Sequence, residues 1–291
     1  MIIGIVAAVV AALAYGTASV LQAHGAQSVT EPPPVGGAGT MTATRTPTLR
    51  STVTAMLTIS FLAGIGLDAV GFVGNLVAAR DLPLFLAQPI VSANLVVTAV
   101  LAAIFLHVRL RTQDRIAIGV VVVALIVLGI AAADEGHGHD ATWLHWSVLL
   151  VGVALFAGGL ALLHFAGGPR TAAIAGLFAG ALFGVMAVAV RIVHGLDPFS
   201  LTEMLTDPAA YAVVGCGICG FYLFTVALQT GSVNGAAAAL VVGETVVPGA
   251  VGLALLGDAT RAGWGPVAVI AFIAAVVGAV VVASSPAVPQ G

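Results

Sequence analysis

Long apolar runs separated by short polar breaks fill this chain from end to end. A run of about 20 apolar residues is long enough for a helix to cross a bilayer. Nine such runs fall near residues 2 to 26, 53 to 79, 83 to 107, 115 to 133, 143 to 166, 171 to 194, 209 to 229, 233 to 256 and 265 to 284. None of them alternates apolar and polar positions over about 10 residues, as the strands of a transmembrane barrel do. The pattern predicts an all-α integral membrane protein with nine transmembrane helices. Composition agrees: 60% of the residues are hydrophobic and 7% charged, with a mean hydropathy of +1.15, whereas a soluble domain carries roughly 25% charged residues.

The polar segments divide into two kinds. Residues 27 to 52 are rich in Pro, Gly and Thr and poor in large apolar groups, which predicts a mobile cytoplasmic linker. The segment DEGHGHDATWLHW, residues 134 to 146, gathers Asp134, Glu135, His137, His139, Asp140 and His145. Imidazoles and carboxylates at this density can hold a divalent metal, and His137, His139 and Asp140 are the candidate ligands. Two histidines at i, i+2 lack the fixed spacing of a metal motif, so a solvated loop is the expectation. Cys216 and Cys219 lie at i, i+3 within the seventh run, among Gly215, Gly217 and Gly220, and read as a packing face of small residues rather than a redox pair.

Charge sets an orientation. All nine basic residues are arginine, and together with abundant Ala, Val and Gly this reads as the codon bias of a GC-rich genome. Arg45, Arg50, Arg109, Arg111, Arg115 and Arg170 follow spans one, three and five, whereas Arg80, Arg191 and Arg261 lie on the other side. The positive-inside rule then places the amino terminus outside and the carboxyl terminus in the cytoplasm of a bacterial plasma membrane. Trp143, Trp146 and Trp264 fall at the outer starts of helices, where interfacial rings are favoured. A cleaved signal peptide is a poorer reading of the first run, which is long and has no basic stretch before it. The net charge of −3 comes with no basic patch interleaved with aromatics, so nucleic acid is not an expected partner.

An internal repeat organises the spans. Shifting the chain by 151 residues lays spans two to four on spans seven to nine, with Ile116 on Val267 and His107 on Asp258. The first span, with AAVVAALAYG, likewise resembles the sixth, with AGLFAGALFG. The expected architecture is two inverted four-helix repeats joined by a linking helix: residues 1–133, then 134–170 with the fifth span, then 171–291. Inverted repeats are a common plan of secondary transporters, which bind substrate near the midplane between the halves.

Two acids interrupt the apolar runs, Asp68 and Glu244, while the other acids lie in or beside polar breaks. A carboxylate in hydrocarbon costs at least ~2.5 kcal/mol and ordinarily faces a cavity or a partner. The repeat puts Glu244 on Ala93 and Thr245 on Asn94, so a polar pair occupies one depth in each half, whereas Asp68 falls on Cys219. Gln88, Ser92 and Thr98 stand nearby on the third span, with Pro89 available to bend it, and Pro248 lies one turn after Glu244. Gln22, Asn75, Gln88, Asn94, Thr245 and Tyr222 are candidates for neutral hydrogen bonds to a substrate or ion. Gly176, Gly180 and Gly184 form a small-residue face on the sixth span suited to close helix contact.

The stretches RDLPLFLAQPIVSANLVVTAVLAAIFLHVRL and ALQTGSVNGAAAALVVGETVVPGAVGLALLGDAT resemble the core of the drug/metabolite transporter superfamily in its EamA-like branch. Usual members have ten helices as two inverted repeats of five, and this chain resembles one lacking the first helix. Asn75, Pro83 and Pro89 also stand at the spacing of the Asn and two prolines of NIPA-type magnesium transporters. The acid one turn before that Asn is replaced here by Phe72, with Asp68 a further turn back. An acidic position at the end of the fourth helix of EamA repeats is occupied by His107 in the first half and Asp258 in the second. The resemblance implies alternating access for a small solute; the two buried acids, Asp68 and Glu244, read as its proton- or ion-carrying groups, since an apolar setting favours the neutral carboxyl group. It leaves open a magnesium transporter using Asp68, Asn75 and Glu244, or a flippase of polyprenyl-linked sugars or other lipids. A second copy of the chain is a candidate partner, and no cofactor is expected. Nothing suggests an enzyme: no nucleophile-base pair or phosphate-binding loop occurs, and His24, His164 and His194 are scattered over different spans.

Overall fold

The computed structural model describes residues 1–27, 58–105, 111–133, 141–165, 170–196, 199–230 and 233–284. Eleven helices appear among them: α1 (Ile2–Gln27), α2 (Ile59–Asp81), α3 (Leu84–Ser92), α4 (Asn94–Phe105), α5 (Thr112–Ala131), α6 (Thr142–Phe165), α7 (Arg170–Ile192), α8 (Leu201–Thr206), α9 (Pro208–Thr230), α10 (Val233–Leu255) and α11 (Gly265–Ala283). With α3 and α4 taken as one span, nine stretches among the described residues are long and apolar enough to cross a membrane. All nine coincide with the expected runs. The only extended pairing among these residues is two isolated bridges, Ala132 with Thr260 and Leu196 with Phe199.

Local chemistry sets the helix ends. Thr58 accepts a hydrogen bond from the Phe61 backbone N–H at 3.3 Å and caps α2. The Asp114 carboxylate accepts from the Arg111 N–H at 2.8 Å and closes the first turn of α5. Two departures from the sequence expectation stand out. The third span is broken at Ala93, and a six-residue helix, α8, precedes the seventh span. Neither leaves a mark in the spacing of apolar runs.

Large apolar side chains such as Ile2, Ile59, Phe105, Phe221 and Ile270 point outward and are exposed. A surface this apolar suits lipid and not water, and with nine long apolar helices it makes this a multi-pass membrane protein. Inside, packing relies on small residues. One core joins Ala8 and Ala11 of α1, Leu86 of α3, Leu128 of α5 and Ala271 of α11. A second joins Leu144 and Val148 of α6, Leu182 and Val188 of α7, and Cys216 and Leu223 of α9. Gly176, Gly180 and Gly184 lie directly against the α10 backbone, where a Cβ on Gly180 would collide with the Leu240 carbonyl. Without a side chain, two helices can approach to this distance.

Three arginines hold one end of the bundle. Arg191 of α7 donates from Nη1 to the carbonyls of Ala79, at 3.0 Å, and Leu82. Its Nη2 meets the Asp258 carboxylate at 3.2 Å. The second Asp258 oxygen accepts the Leu84 N–H at 2.7 Å, so one carboxylate caps α3 and anchors the arginine. In return, Arg80 at the end of α2 donates to Val190 O of α7 and to Val193 O just past its end, at 3.4 and 3.1 Å. Arg261 donates from Nε to Ala132 O at 3.2 Å. These bonds satisfy carbonyls that helix ends otherwise leave unpaired. Gly257, with φ of 74°, makes the turn that brings Asp258 back to α3.

Removing the guanidinium from this buried pair is expected to be severe. Arg191→Met should destabilise the protein by about 3–5 kcal/mol, the range for breaking a buried ion pair. Arg191→Met with Asp258→Asn should cost less than the sum of the two single changes, because they share one interaction. Thermal unfolding of the three variants in detergent checks both expectations.

Candidate functional site

The polar side chains inside the spans form pairs between α1 and α2, α2 and α3, and α3 and α10. Their placement starts with Pro89. A proline within a helix has no N–H for the preceding turn, and α3 ends one turn later, where the Ala93 N–H bonds Pro89 O at 3.1 Å and Ile90 O at 3.2 Å. The chain resumes as α4 at Asn94. Ser92, at the end of α3, is buried and donates its hydroxyl to Glu244 Oε1 at 2.9 Å. Glu244 is half-buried on α10, one turn before Pro248.

Asp68 has a separate partner. Gln22 of α1 donates from Nε2 to Asp68 Oδ2 of α2 at 2.6 Å. Gly64 makes room for this contact, since a Cβ there would strike the Gln22 side chain. Tyr15, three residues from Ala18 on α1, packs its ring on Gly71 and lies within electrostatic reach of both Asp68 and Glu244. Each acid has its own hydrogen-bond partner, Gln22 for Asp68 and Ser92 for Glu244. Thr98 of α4 donates to Gly16 O at 3.3 Å and to Asn94 O of its own helix at 2.9 Å, tying the broken span to α1.

Among the remaining candidates, Gln88 is buried and its Nε2 approaches Asn75 Oδ1 at 3.5 Å. Asn94 is half-buried just after the break. Thr245 is fully buried and returns its hydroxyl to Val241 O at 2.6 Å, within its own helix. Tyr222 stands apart, 52% exposed on α9 and edge-on to Phe156 at 6.1 Å. The structure thus joins Gln22 with Asp68 and Asn75 with Gln88, and gives Glu244 an unanticipated partner in Ser92. It does not bring Thr245 or Tyr222 into the same network. For Thr245 the reason is the neighbouring backbone carbonyl, which satisfies a helical threonine. For Tyr222 it is the outward face of α9. Cys216 is buried beside Gly152, in keeping with a packing role.

His137, His139 and Asp140 lie outside the described residues, as do Asp134 and Glu135. His145 of the same segment corrects the expectation of a solvated loop: it is 3% exposed, and its Nδ1 lies 2.7 Å from Asp207 Oδ1. His194, expected to be isolated on its span, joins them. Its backbone N–H donates to Asp207 Oδ2 at 2.8 Å, and its Nδ1 is 3.2 Å from the same oxygen. The two imidazoles stack with centroids 4.6 Å apart and planes 10° off parallel. Asp207 also accepts the Ala209 N–H at 2.8 Å and caps α9, which opens with Pro208. Burial pushes the Asp207 carboxyl upward, but the N–H groups of His194 and Ala209 and the His145 ring outweigh it and hold it below the usual carboxylate range. Asp207 was not among the sequence candidates. The signal available was its place just before a proline at the start of an apolar run.

No family model matches the sequence, and no solved structure matches it. A Corynebacterium glutamicum protein described as uncharacterized is 28% identical over 231 residues, spanning 74% of this chain and 77% of its own length. That description assigns it no activity.

The Gln22–Asp68 bond generates a direct test. Gln22→Leu should lower stability by about 1–3 kcal/mol, because it leaves a carboxylate oxygen without its donor. Gln22→Leu with Asp68→Leu should lie closer to wild type than the single variant, since both polar partners are then gone. Chemical unfolding in detergent micelles resolves the difference.

Proposed function

We propose that this chain is a secondary transporter moving a small solute across the cytoplasmic membrane by alternating access, coupled to protons through Glu244 and Asp68. The observation that carries this reading is the Ser92–Glu244 hydrogen bond. It joins the end of a broken helix in the first half of the chain to a carboxylate in the second half, at 2.9 Å. A broken span lined by polar groups is tolerated inside a bilayer where it borders a cavity or a site, and an intramembrane carboxylate is a functional site by default.

Several further features support the reading. The packing of α1 on α2 has a counterpart in that of α7 on α9, and α5 pairs with α11 across the halves. This is the pattern that two inverted four-helix repeats around a linking helix, α6, would give. The resemblance of the third and eighth spans to EamA-like drug/metabolite transporters points the same way. In this reading the amino terminus faces outward and the carboxyl terminus the cytoplasm. Arg80, Arg191 and Arg261 do not oppose that orientation, because each binds helix-end carbonyls. Rocking of the halves uses the break at Ala93, beside the Ser92–Glu244 contact that joins them, while the glycine face of α7 lets that helix move on α10 within the second half.

Protonation supplies the coupling. Ionised Glu244 accepts from Ser92 and holds the halves together. A proton taken from the outer side neutralises it and loosens that contact, and its release to the cytoplasm resets the cycle. Asp68, steadied by Gln22, is the second proton-carrying group.

Proteoliposomes with a trapped pH indicator provide the test, screened against a panel of metabolites under an imposed pH gradient. The expected result is a solute that discharges the gradient with wild-type protein and fails to do so with Glu244→Gln, while Asp68→Asn is impaired. Full proton-coupled flux in both variants would sink the proposal. So would thermal stabilisation by magnesium ions with none by any organic solute.

A further inference from the structure

The start of α6, the end of α7 and the start of α9 converge away from the intramembrane carboxylates, and their side chains there form a different kind of site. We propose that His145, His194 and Asp207 bind a single divalent transition cation of zinc's chemical class. This inference stands independently of the transport reading.

Geometry carries it first. One ring nitrogen from each histidine and a carboxylate oxygen of Asp207 all lie within 4.8 Å of one another. The histidine nitrogens stand 2.7 and 3.2 Å from Asp207 oxygens. Donors around a tetrahedral ion are about 3.4 Å apart, given bonds of about 2.0–2.2 Å, so rotation of the rings would complete the set. Both imidazoles face the same carboxylate from a parallel stack. A ring nitrogen binds a metal along its own ring plane, so sharing one cation requires the two rings to turn out of this parallel stack.

The site is also built rather than incidental. Asp207 is oriented by the backbone N–H groups of His194 and Ala209, the kind of outer support that fixes ligands at metal centres. His145 is 3% exposed, and its Nε2 is buried with no hydrogen-bond partner among the described residues. The nitrogen that faces Asp207 is Nδ1 on each ring, so a cation here would be held through the two Nδ1 atoms. The three residues line a cleft of about 340 Å³ that Glu203 also borders, from α8. Water in this cleft can take the fourth position. The turn that delivers α8 depends on Gly195, whose φ of 77° is a left-handed value, and Tyr211 pins the helix by donating to Leu205 O at 2.7 Å.

Donor chemistry selects the ion. Two imidazoles and a carboxylate suit zinc and its neighbours. Magnesium and calcium prefer all-oxygen shells. A bound ion would fasten the linking helix α6 to α7 and α9 at one face of the membrane.

Tag-free, full-length protein in detergent, stripped with a chelator, is titrated with zinc chloride by calorimetry and thermal shift. One zinc ion per chain and a raised Tm are expected, with no response to magnesium chloride at the same concentration. His194→Ala keeps the backbone N–H that supports Asp207, so it should fold as the wild type does. Its zinc affinity should fall at least about 10-fold, and its stabilisation by zinc should vanish. Asp207→Asn should lose binding too, with a lower metal-free Tm because the cap of α9 is weakened. Absence of zinc uptake by the wild type overturns the proposal. Equally tight binding to both variants does the same, since the ion would then sit elsewhere.

Discussion

A helix that stops or breaks inside a bilayer exposes carbonyls and amides that lipid cannot satisfy. At one end of this bundle those groups are answered by side chains from distant parts of the chain. Arg191 reaches from α7 to the last carbonyls of α2, Arg80 reaches from α2 to the last carbonyls of α7, and Asp258 joins Arg191 to the first amide of α3. The exchange is reciprocal, so neither α2 nor α7 can shift along its axis without stripping partners from the other. It fixes the start of α3, and everything polar along the third span is measured from that point.

From this anchor α3 runs only as far as Pro89 allows. The helix stops a turn later, which sets Ser92 opposite Glu244 and starts α4 with Asn94. Small residues make the rest possible. Gly64 and Gly71 admit Gln22 and Tyr15 on one side, and Gly180 and Gly184 bring α10, and with it Glu244, close to α7 on the other. Sequence, packing and site are thus continuous. Glycines set the helix spacing, and the spacing brings each carboxylate to a partner on another helix.

The spans were legible because apolar run length is dictated by bilayer thickness, and all nine appear near their expected limits. The place of the break was less so. Pro89 announced a bend, but the bend is expressed at Ala93, because the turn after a proline is where replacement bonds must be found. Helix α8 is six residues without an apolar run, and nothing in the spacing marked it. Asp68 and Glu244 were legible as anomalies, yet their partners were not: Gln22 is 46 residues from Asp68, and Ser92 is 152 from Glu244. By sequence Arg191 is a charge that sets orientation, whereas in the fold it clamps carbonyls. His145 looked solvated because its sequence neighbours are polar, although the fold turns it inward onto Asp207. Pairings between distant segments depend on tertiary placement, which residue spacing does not encode.

The most direct measurement of Glu244 as a proton carrier needs no knowledge of the substrate. A hydrophobic carbodiimide reacts with protonated carboxyl groups in apolar surroundings, and mass spectrometry of the protein in lipid vesicles locates the adduct. Modification at Glu244 that declines as the pH is raised, and that disappears in Glu244→Gln without appearing elsewhere in the spans, is the expected result. A Glu244 that stays unmodified at every pH, in protein that is folded and accessible to the reagent, contradicts the role assigned to it.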